Sequence, residues 1–574
     1  KEYEPYAKQI FGNTPEMIEF YSKRLNYDYP WQKYAQIVGR DYVSGAMENT
    51  TTVLHQESAY QKPDDLADEN KWEDVIAHEL FHHWFGDLVT AESWSNLTVN
   101  ESFADYSEYL WNEYKYGKDE ADYKRLKSIR NSKADPRNFT KDLVRFNYND
   151  REDMFDGVSY NKGGAILHML RKYLGDDAFF AGLTDYLKTN EYGTGEVHQL
   201  RLSLEKVSGK DLNWFFNQWY FGSGYPKLEV SSTYDAVKKQ VTVSVAQTQE
   251  AKFEFPIAID VLESGKLSRK NVWVTANSKN DFVFDAVKNP ELINANADGV
   301  LVCDIKQDKT PEQLYLQYTN SKDLYSKYTA IEESKESVGK NPFATKTVLA
   351  ALKDSFYRNR LEALASIPED AKDFLAEVEK LAQNDPKTLV KGEAIGVLAK
   401  TKDAKYLPLF EKGMQITSSS VKGNSLAGIA NLAPEKVATY AEKVNLENAS
   451  EGLITTLLPI IVKNKITSQM PSISQVVAFY PFIAFQDPKL AQPAEEGFNW
   501  IMTSDNLKAV ENITKILGQA KSQIGDNPQV KMMIVQMLKG GLEKKMKMFR
   551  ENPDNYSLNR QVELINKAIN NYSN

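Results

Sequence analysis

The spacing of apolar residues changes twice along this chain of 574 residues. Residues 70–222 repeat their apolar positions mostly at the helical period of about 3.6. From about residue 228 the period is two, and Val241, Val243 and Val245 share one face, which predicts the strands of a small β-sandwich. The helical period then returns and continues to the end. Because the chain is also too long for one core, we predict a multidomain α+β protein with domains at 1–222, 223–307 and 308–574.

The C-terminal part contains a repeat. The segments "LEALASI" (361–367), "GEAIGVL" (392–398) and "GNSLAGI" (423–429) align at a constant shift of 31 residues. Leu364, Ile395 and Leu426 occupy one column, and Leu457 falls in the next position of that column. A period near 31 is typical of one helix pair, so we predict an α-solenoid of HEAT-like repeats. An irregular helical bundle is the alternative.

Composition limits the partners and the kinds of site. The net charge of −9 argues against a nucleic-acid partner. Cys303 is the single cysteine, which excludes an internal disulfide and a cysteine-based zinc site. The most apolar stretches, 453–462 and 476–485, are too short to span a bilayer, so we predict no transmembrane segment. The chain starts without Met or an apolar leader, and cytoplasmic, periplasmic and secreted locations stay open, as does the oligomeric state.

Three of the six histidines lie within six positions of the segment "NKWEDVIAHELFHHWFG" (70–86). We predict a helix here that Asn70 caps and Gly86 ends. On a helix, His78 and His82 project from one face, and Glu79 lies between them in sequence. This His-Glu-x-x-His arrangement offers a zinc ion two imidazoles and a carboxylate beside its water.

A catalytic zinc usually takes a third protein ligand. We predict that Glu101, separated from His82 by eighteen residues, supplies it from a second helix. A metzincin pattern is excluded, because Phe85 and Leu88 stand where it needs Gly and His. His83 points about 100° away from His82 and is predicted to be a non-ligand.

The second helix also offers carboxylates that could orient the ligands. Glu108 lies two turns beyond Glu101 on the same face, and we predict that it accepts a hydrogen bond from the free ring nitrogen of His78 or His82. Asp105 is the alternative for this role. Both could also be ordinary surface carboxylates.

Four segments together resemble the aminopeptidase N type of gluzincin, the zinc aminopeptidases: "GAMEN" (45–49), "HELFHHWFGDLVT" (78–90), "NESFADY" (100–106) and "SYNKGGAILHML" (159–170). The eighteen-residue gap before Glu101 is also that family's. The resemblance implies a thermolysin-like catalytic domain with one zinc ion per chain. It implies that Glu79 is the general base and acid and that Tyr160 stabilises the oxyanion. It implies that Glu48 binds the substrate α-amine and that its neighbours Gly45, Ala46 and Met47 contact the substrate backbone.

The sequence departs from the family in three places near these motifs. His83 stands where the family usually has Gln, Asp87 where it often has Asn, and Ser102 where it commonly has Gly. The family also carries an N-terminal β domain ahead of the first residue here, and that domain contributes to the amine site. We therefore expect the chain to be a fragment or a short form, with its activity alone an open question.

The resemblance implies a zinc-dependent aminopeptidase that acts on peptides with a free N-terminus. Two alternatives remain. One is a related zinc hydrolase that acts on an epoxide, and the other is an inactive peptide-binding scaffold.

Overall fold

The computed structural model describes residues 4–40, 42–369, 372–442, 446, 451–486, 488–524 and 527–573. The described chain is mostly helical, with small sheets. It divides into two compact units, here called unit 1 (1–62 and 70–366) and unit 2 (63–69 and 367–574). Among the described residues, every helix is too short or too polar to cross a lipid bilayer.

The first part of unit 1 is mostly helical, with five short strands between its helices. Its α-helices are α1 (Ala7–Phe11), α2 (Thr14–Leu25), α4 (Glu73–Phe81), α5 (Thr98–Lys115), α6 (Lys118–Ala134), α7 (Gly163–Leu174), α8 (Asp176–Asn190), α9 (Val197–Ser208) and α10 (Asn213–Trp219). Its strands are β1 (Ala35–Gly39), β2 (Ala46–Met47), β3 (Thr52–Gln56), β4 (Val89–Ala91) and β5 (Gly193–Gly195). The first three strands form one sheet in the order β1-β3-β2, so β2 is an edge strand.

A β region follows, as the period of two predicts. Its strands are β6 (Lys227–Asp235), β7 (Gln240–Gln247), β8 (Phe255–Glu263), β9 (Lys266–Val274), β10 (Lys279–Asp285), β11 (Leu292–Ala295) and β12 (Asp304–Lys306). They form a four-stranded sheet, β10-β7-β6-β12, and a three-stranded sheet, β11-β8-β9. Val241, Val243 and Val245 are all buried on β7, while their neighbours are less so, which confirms the predicted face. Sandwich packing of the two sheets stays a prediction.

Unit 1 ends with four helices, α11 (Pro311–Asn320), α12 (Leu324–Ser334), α13 (Pro342–Ala351) and α14 (Tyr357–Ala365). Thr310 caps α11, because its hydroxyl accepts from the backbone N–H of Gln313 at 3.2 Å while the Gln313 side chain accepts from Thr310 N at 2.9 Å. The boundaries of the three predicted domains are not tested by the division into two units and stay predictions.

Unit 2 is helical in its described part. It contains α3 (Pro63–Asp68) and α15 (Leu375–Asn384), α16 (Thr388–Lys400), α17 (Leu407–Gly413), α18 (Ser419–Leu432), α19 (Val437–Ala441), α20 (Glu451–Lys463), α21 (Met470–Val477), α22 (Tyr480–Gln486), α23 (Pro488–Met502), α24 (Leu507–Ile524), α25 (Pro528–Glu551) and α26 (Tyr556–Ser573).

The residues of the predicted repeat column lie on four different helices. Leu364 is on α14, Ile395 on α16, Leu426 on α18 and Leu457 on α20, and each is buried. Helices α16 and α18 approach closely, since a Cβ atom at Gly392 would lie 2.1 Å from the hydroxyl of Ser420. These observations agree with a repeat of about one helix pair, whereas the solenoid itself stays a prediction.

Candidate metal centre

Helix α4 carries His78 and Glu79, and it is tied to its surroundings at its start. The side chain of Asn70 accepts from the backbone N–H of Trp72 at 3.1 Å, close to the predicted cap. Glu73 does not close a capping box. Its buried carboxylate instead accepts from the indole N–H of Trp111 at 2.7 Å and from the hydroxyl of Tyr116 at 2.8 Å. The first turn of α4 is therefore anchored to α5 and its C-terminal end.

The prediction that α4 continues to Gly86 was wrong, because the helix ends at Phe81. Beyond it the backbone bonds tighten to three-residue steps, from His83 N to Leu80 O at 3.1 Å and from Trp84 N to Phe81 O at 3.0 Å. Gly86 then adopts a positive φ of 151° and leads into β4. His82, at the C-terminal end, keeps a helical conformation, so its side chain stays on the same face as His78.

The three predicted ligands converge. One carboxylate oxygen of Glu101 lies 3.3 Å from Nε2 of His78 and 3.3 Å from Nε2 of His82. All three side chains are buried, and their ligand atoms lie within 4.8 Å of one another. Two imidazoles and one carboxylate are a donor set that zinc prefers.

The other ring nitrogen of each histidine is held by an oxygen acceptor. His78 donates from Nδ1 to Glu108 Oε1 at 3.0 Å, and His82 donates from Nδ1 to the carbonyl of Phe85 at 3.0 Å. These bonds direct both Nε2 atoms towards Glu101. Asp105, the alternative partner, instead accepts from the side-chain amide of Asn161 at 3.0 Å.

The charges of the cluster fit a divalent cation. Burial lowers the pKa of His82, but the carboxylates of Glu48 and Glu101 outweigh burial and raise it to about 10. Burial raises the pKa of Glu101, but the two histidines outweigh burial and hold it well below its usual range. Both Nε2 atoms and the Glu101 carboxylate thus face one position that a divalent cation would share with them.

Glu79 differs from the other glutamates of the cluster. Its Oε2 atom is buried and has no hydrogen-bond partner among the described residues. Burial raises the pKa of Glu79 to about 7. A buried carboxylate without a partner is costly unless a ligand or a water satisfies it.

A cavity of about 810 Å³ in unit 1 opens onto this cluster. Its lining includes Gly45, Ala46, Met47 and Glu48, of which Ala46 and Met47 form the edge strand β2. Glu48 Oε1 lies 3.9 Å from His82 Nδ1, so the carboxylate is close to the ligands. The described lining contains five glutamates and neither lysine nor arginine.

Tyr160 also lines the cavity. It belongs to a single wide turn, the π-helix Val158–Lys162, that leads into α7. Its ring is parallel to that of His78, with the centroids 5.8 Å apart. Burial and the carboxylate of Glu101, to which its hydroxyl donates, raise the pKa of Tyr160 far above its usual value, so the phenol is a neutral donor.

Ser102, a departure from the family, lies beneath this turn. Its hydroxyl donates to the carbonyl of Ser159 at 2.6 Å. A Cβ atom at Gly163 would lie 1.8 Å from that hydroxyl, so the serine requires a glycine at 163. Ser102 therefore fixes the turn that carries Tyr160, a contact that the sequence analysis did not predict.

Two histidines from one helix, a glutamate between them and a third ligand from the next helix define the gluzincin class of metal centre. Residues 10–219 match the Peptidase family M1 domain, so this part of the chain is similar to that family.

Relatives with curated names agree with this assignment. The chain is 30% identical over 268 residues to a leucyl aminopeptidase of Saccharolobus solfataricus, a match that covers 45% of this chain and 33% of the relative. It is 32% identical over 262 residues to an aminopeptidase N of Streptomyces lividans, covering 43% of this chain and 29% of the relative. The matched region thus spans about a third of the length of each relative.

A solved structure shares the fold. The crystal structure of Legionella pneumophila aminopeptidase A in complex with aspartic acid aligns with 100% of this chain and 65% of its own chain, at a TM-score of 0.62. The sequence identity is 17%, so this likeness concerns the fold alone.

Proposed function

We propose that the chain is the catalytic part of a zinc-dependent aminopeptidase, with one zinc ion held by His78, His82 and Glu101. The observation that carries the proposal is the position of a single Glu101 oxygen, 3.3 Å from both Nε2 atoms. The names of the relatives support the same activity. Substrates and activity of the whole protein are part of the proposal, since the match covers only about a third of each relative.

The chemistry divides among the ion and two side chains. A bound zinc ion supplies Lewis acidity to the scissile carbonyl and to the attacking water. Glu79 takes the proton of that water on its free Oε2 atom and delivers it to the leaving amine. The neutral Tyr160 hydroxyl donates to the negative charge that develops on the carbonyl oxygen, a contribution of about 3 kcal/mol for a well-aimed donor.

Selection of a chain end needs a carboxylate at a fixed distance from the reacting bond. Glu48 fills this role by binding the cationic α-amine of the substrate. Its position 3.9 Å from His82 supports the assignment, because an amine held there has its own carbonyl close to the ligands. The free edge of β2 can pair with the substrate backbone as an additional strand.

The first test is Glu79→Gln with zinc analysis and a panel of aminoacyl fluorogenic substrates. We expect zinc content to be unchanged and kcat to fall roughly 10²- to 10⁴-fold, since the amide accepts no proton. A variant as fast as the parent would show that Glu79 is not the base. A parent that binds zinc, cleaves no aminoacyl substrate and opens an epoxide lipid would favour the hydrolase alternative, and a parent without either activity would favour the scaffold.

The second test concerns the amine. Glu48→Ala should lower kcat/KM for free-amine peptides by roughly 10²-fold, as expected for a lost charge-assisted bond, and leave zinc binding intact. The matched substrate is the same peptide with an acetylated N-terminus. The exopeptidase proposal fails if the parent cuts the acetylated and free peptides equally well.

A further inference from the structure

Two of the departures from the family, His83 and Asp87, contact the same short turn. The turn runs from Asn49 to Thr52, is closed by a bond from Thr52 N to Asn49 O at 2.8 Å, and follows Glu48 directly. Nε2 of His83 accepts from the backbone N–H of Thr51 at 3.1 Å. Asp87 accepts a hydrogen bond from Thr50. Both residues lie just beyond α4, so they connect the turn to the segment that follows the metal-binding helix.

The hydrogen bonds define the protonation state of His83. Nδ1 lies 3.3 Å from the carbonyl of Glu79, which can only accept, so Nδ1 carries the proton. Nε2 then presents a lone pair to Thr51. The ring is fully buried and packs against Tyr29 and Tyr34. His83 is thus a neutral acceptor with both nitrogens in use.

The turn needs such an acceptor because its backbone is strained. Thr51 has a φ of 66°, in the left-handed region. At this third position of a turn glycine or asparagine is usual, and a β-branched residue is disfavoured. Strain of this kind persists only where surrounding contacts impose it. Here two contacts impose it. The backbone N–H of Thr51 donates to His83, and the carbonyl oxygen of Thr51 accepts from the backbone N–H of Ala35 at 3.0 Å.

Glu48 lies between this strained turn and a paired strand. On its N-terminal side Met47 pairs with Leu54, and on its C-terminal side the turn begins at Asn49. We propose that His83, assisted by Asp87, is a positioning residue that holds the strained Thr50–Thr51 turn and so fixes Glu48 for the substrate amine. The inference deepens the proposed function and depends on it for the role of Glu48.

The test compares His83→Leu with His83→Gln. Leucine leaves the Thr51 N–H without an acceptor, so we expect KM for a free-amine peptide to rise roughly tenfold, with kcat and zinc content nearly unchanged. The glutamine side chain has a carbonyl oxygen that can accept this N–H, so His83→Gln should restore KM. Equal KM values for the leucine variant and the parent, or a rise that glutamine does not reverse, would overturn the proposal.

A second variant separates positioning from a general loss of stability. Glycine adopts a positive φ freely, so Thr51→Gly in the His83→Leu background should restore KM at least in part. A merely structural role of His83 predicts no rescue, and absence of rescue contradicts the proposal. Should His83→Leu not fold, Asp87→Ala, which removes the contact with Thr50 and keeps the His83 side chain as acceptor for Thr51, is expected to raise KM about threefold, and an unchanged KM counts against the proposal.

Hydrogen exchange of residues 48–54 distinguishes this inference from the proposed function. Exchange should be faster in His83→Leu and return to the parent rate in His83→Gln, whether or not the protein cleaves peptides. The matched control is His168→Leu, another buried histidine, whose Nδ1 lies 3.1 Å from the hydroxyl of Tyr106. It should leave both exchange at 48–54 and KM unchanged. Unaltered exchange in His83→Leu would refute the positioning role, whereas loss of peptidase activity in the parent would refute the function alone.

Discussion

Glu108 determines which ring nitrogen of His78 faces Glu101. Its carboxylate accepts a hydrogen bond from Nδ1 at 3.0 Å, which leaves Nε2 for the metal. We predict that Glu108→Ala weakens zinc binding by roughly 10- to 100-fold, the usual effect of losing a residue that orients a ligand. Competition with a chelating dye at fixed pH measures this.

The control for Glu108 lies on the same helix. Asp105 accepts from Asn161 and contacts no ring nitrogen of the ligands, and burial together with the charge of Glu108 raises its pKa. Asparagine is close in shape to the protonated form, so Asp105→Asn should leave zinc affinity within about twofold. Equal losses in the two variants would contradict the role given to Glu108.

Some residues of the site could be predicted from the sequence alone, and others could not. The spacing of His78, His82 and Glu101 is a geometric pattern, since helical periodicity sets which side chains share a face. The roles of Glu48 and Tyr160 were predicted only from the family resemblance, because a loop carboxylate and one tyrosine among 31 show no local sequence pattern. The Phe85 carbonyl that holds His82 was missed because any residue supplies a carbonyl, and Thr51 gave no indication of its positive φ.

Among the elements, β7 was predictable and the end of α4 was not. Alternation in β7 needs only one buried face, and that face is Val241, Val243 and Val245. Helix α4 ends five residues before Gly86, because the backbone tightens after Phe81 to turn into β4, although the side chains at 82–85 are compatible with a helix. The π-turn at Val158–Lys162 likewise follows from packing of Ser102 against Ser159 rather than from local preference.

Within unit 2, helix α3 supplies the N-terminus of α18 with a carboxylate. Asp68 accepts from the hydroxyl of Ser418 at 2.6 Å and from the backbone N–H of Ser420 at 2.8 Å. The first N–H groups of a helix have no partner inside it, and the helix dipole favours an anion there. We predict that Asp68→Ala destabilises this helix start by about 1–2 kcal/mol.

Hydrogen exchange of residues 418–424 is the appropriate measurement, because a chain with two compact units need not unfold in one step. Asp64→Ala is the matched variant on the same helix. Asp64 meets the Lys422 ammonium at 2.6 Å in a partly exposed ion pair, which contributes at most about 1 kcal/mol. The prediction for Asp68 fails if the two variants accelerate exchange equally.

At the scale of the whole molecule, the cavity and the chain are both negatively charged. The net charge is −9, and the described lining of the cavity includes Glu48, Glu79, Glu92, Glu101 and Glu108 without a lysine or arginine. One divalent cation and one substrate amine would offset only part of this charge. A second carboxylate on the substrate would therefore enter a negative field that is poorly screened inside the cavity.

Peptides that begin with Asp or Glu should consequently be poor substrates. We predict a kcat/KM roughly 10- to 100-fold lower for an Asp than for an Asn N-terminus, and likewise for Glu against Gln, since like charges a few ångströms apart cost a few kcal/mol at the effective dielectric of a protein site. Each pair has the same size, so the comparison isolates charge. Glu92 is exposed, and its carboxylate has no hydrogen bond or ion pair within the described part of the chain, which makes Glu92→Gln the variant to combine with the substrate pairs. This variant should narrow the difference in kcat/KM between the Asp and Asn peptides. Added salt should have the same effect, because salt screens an exposed charge more strongly than a buried one. Equal cleavage of the charged and neutral members of each pair would show that the field of these glutamates does not reach the substrate side chain.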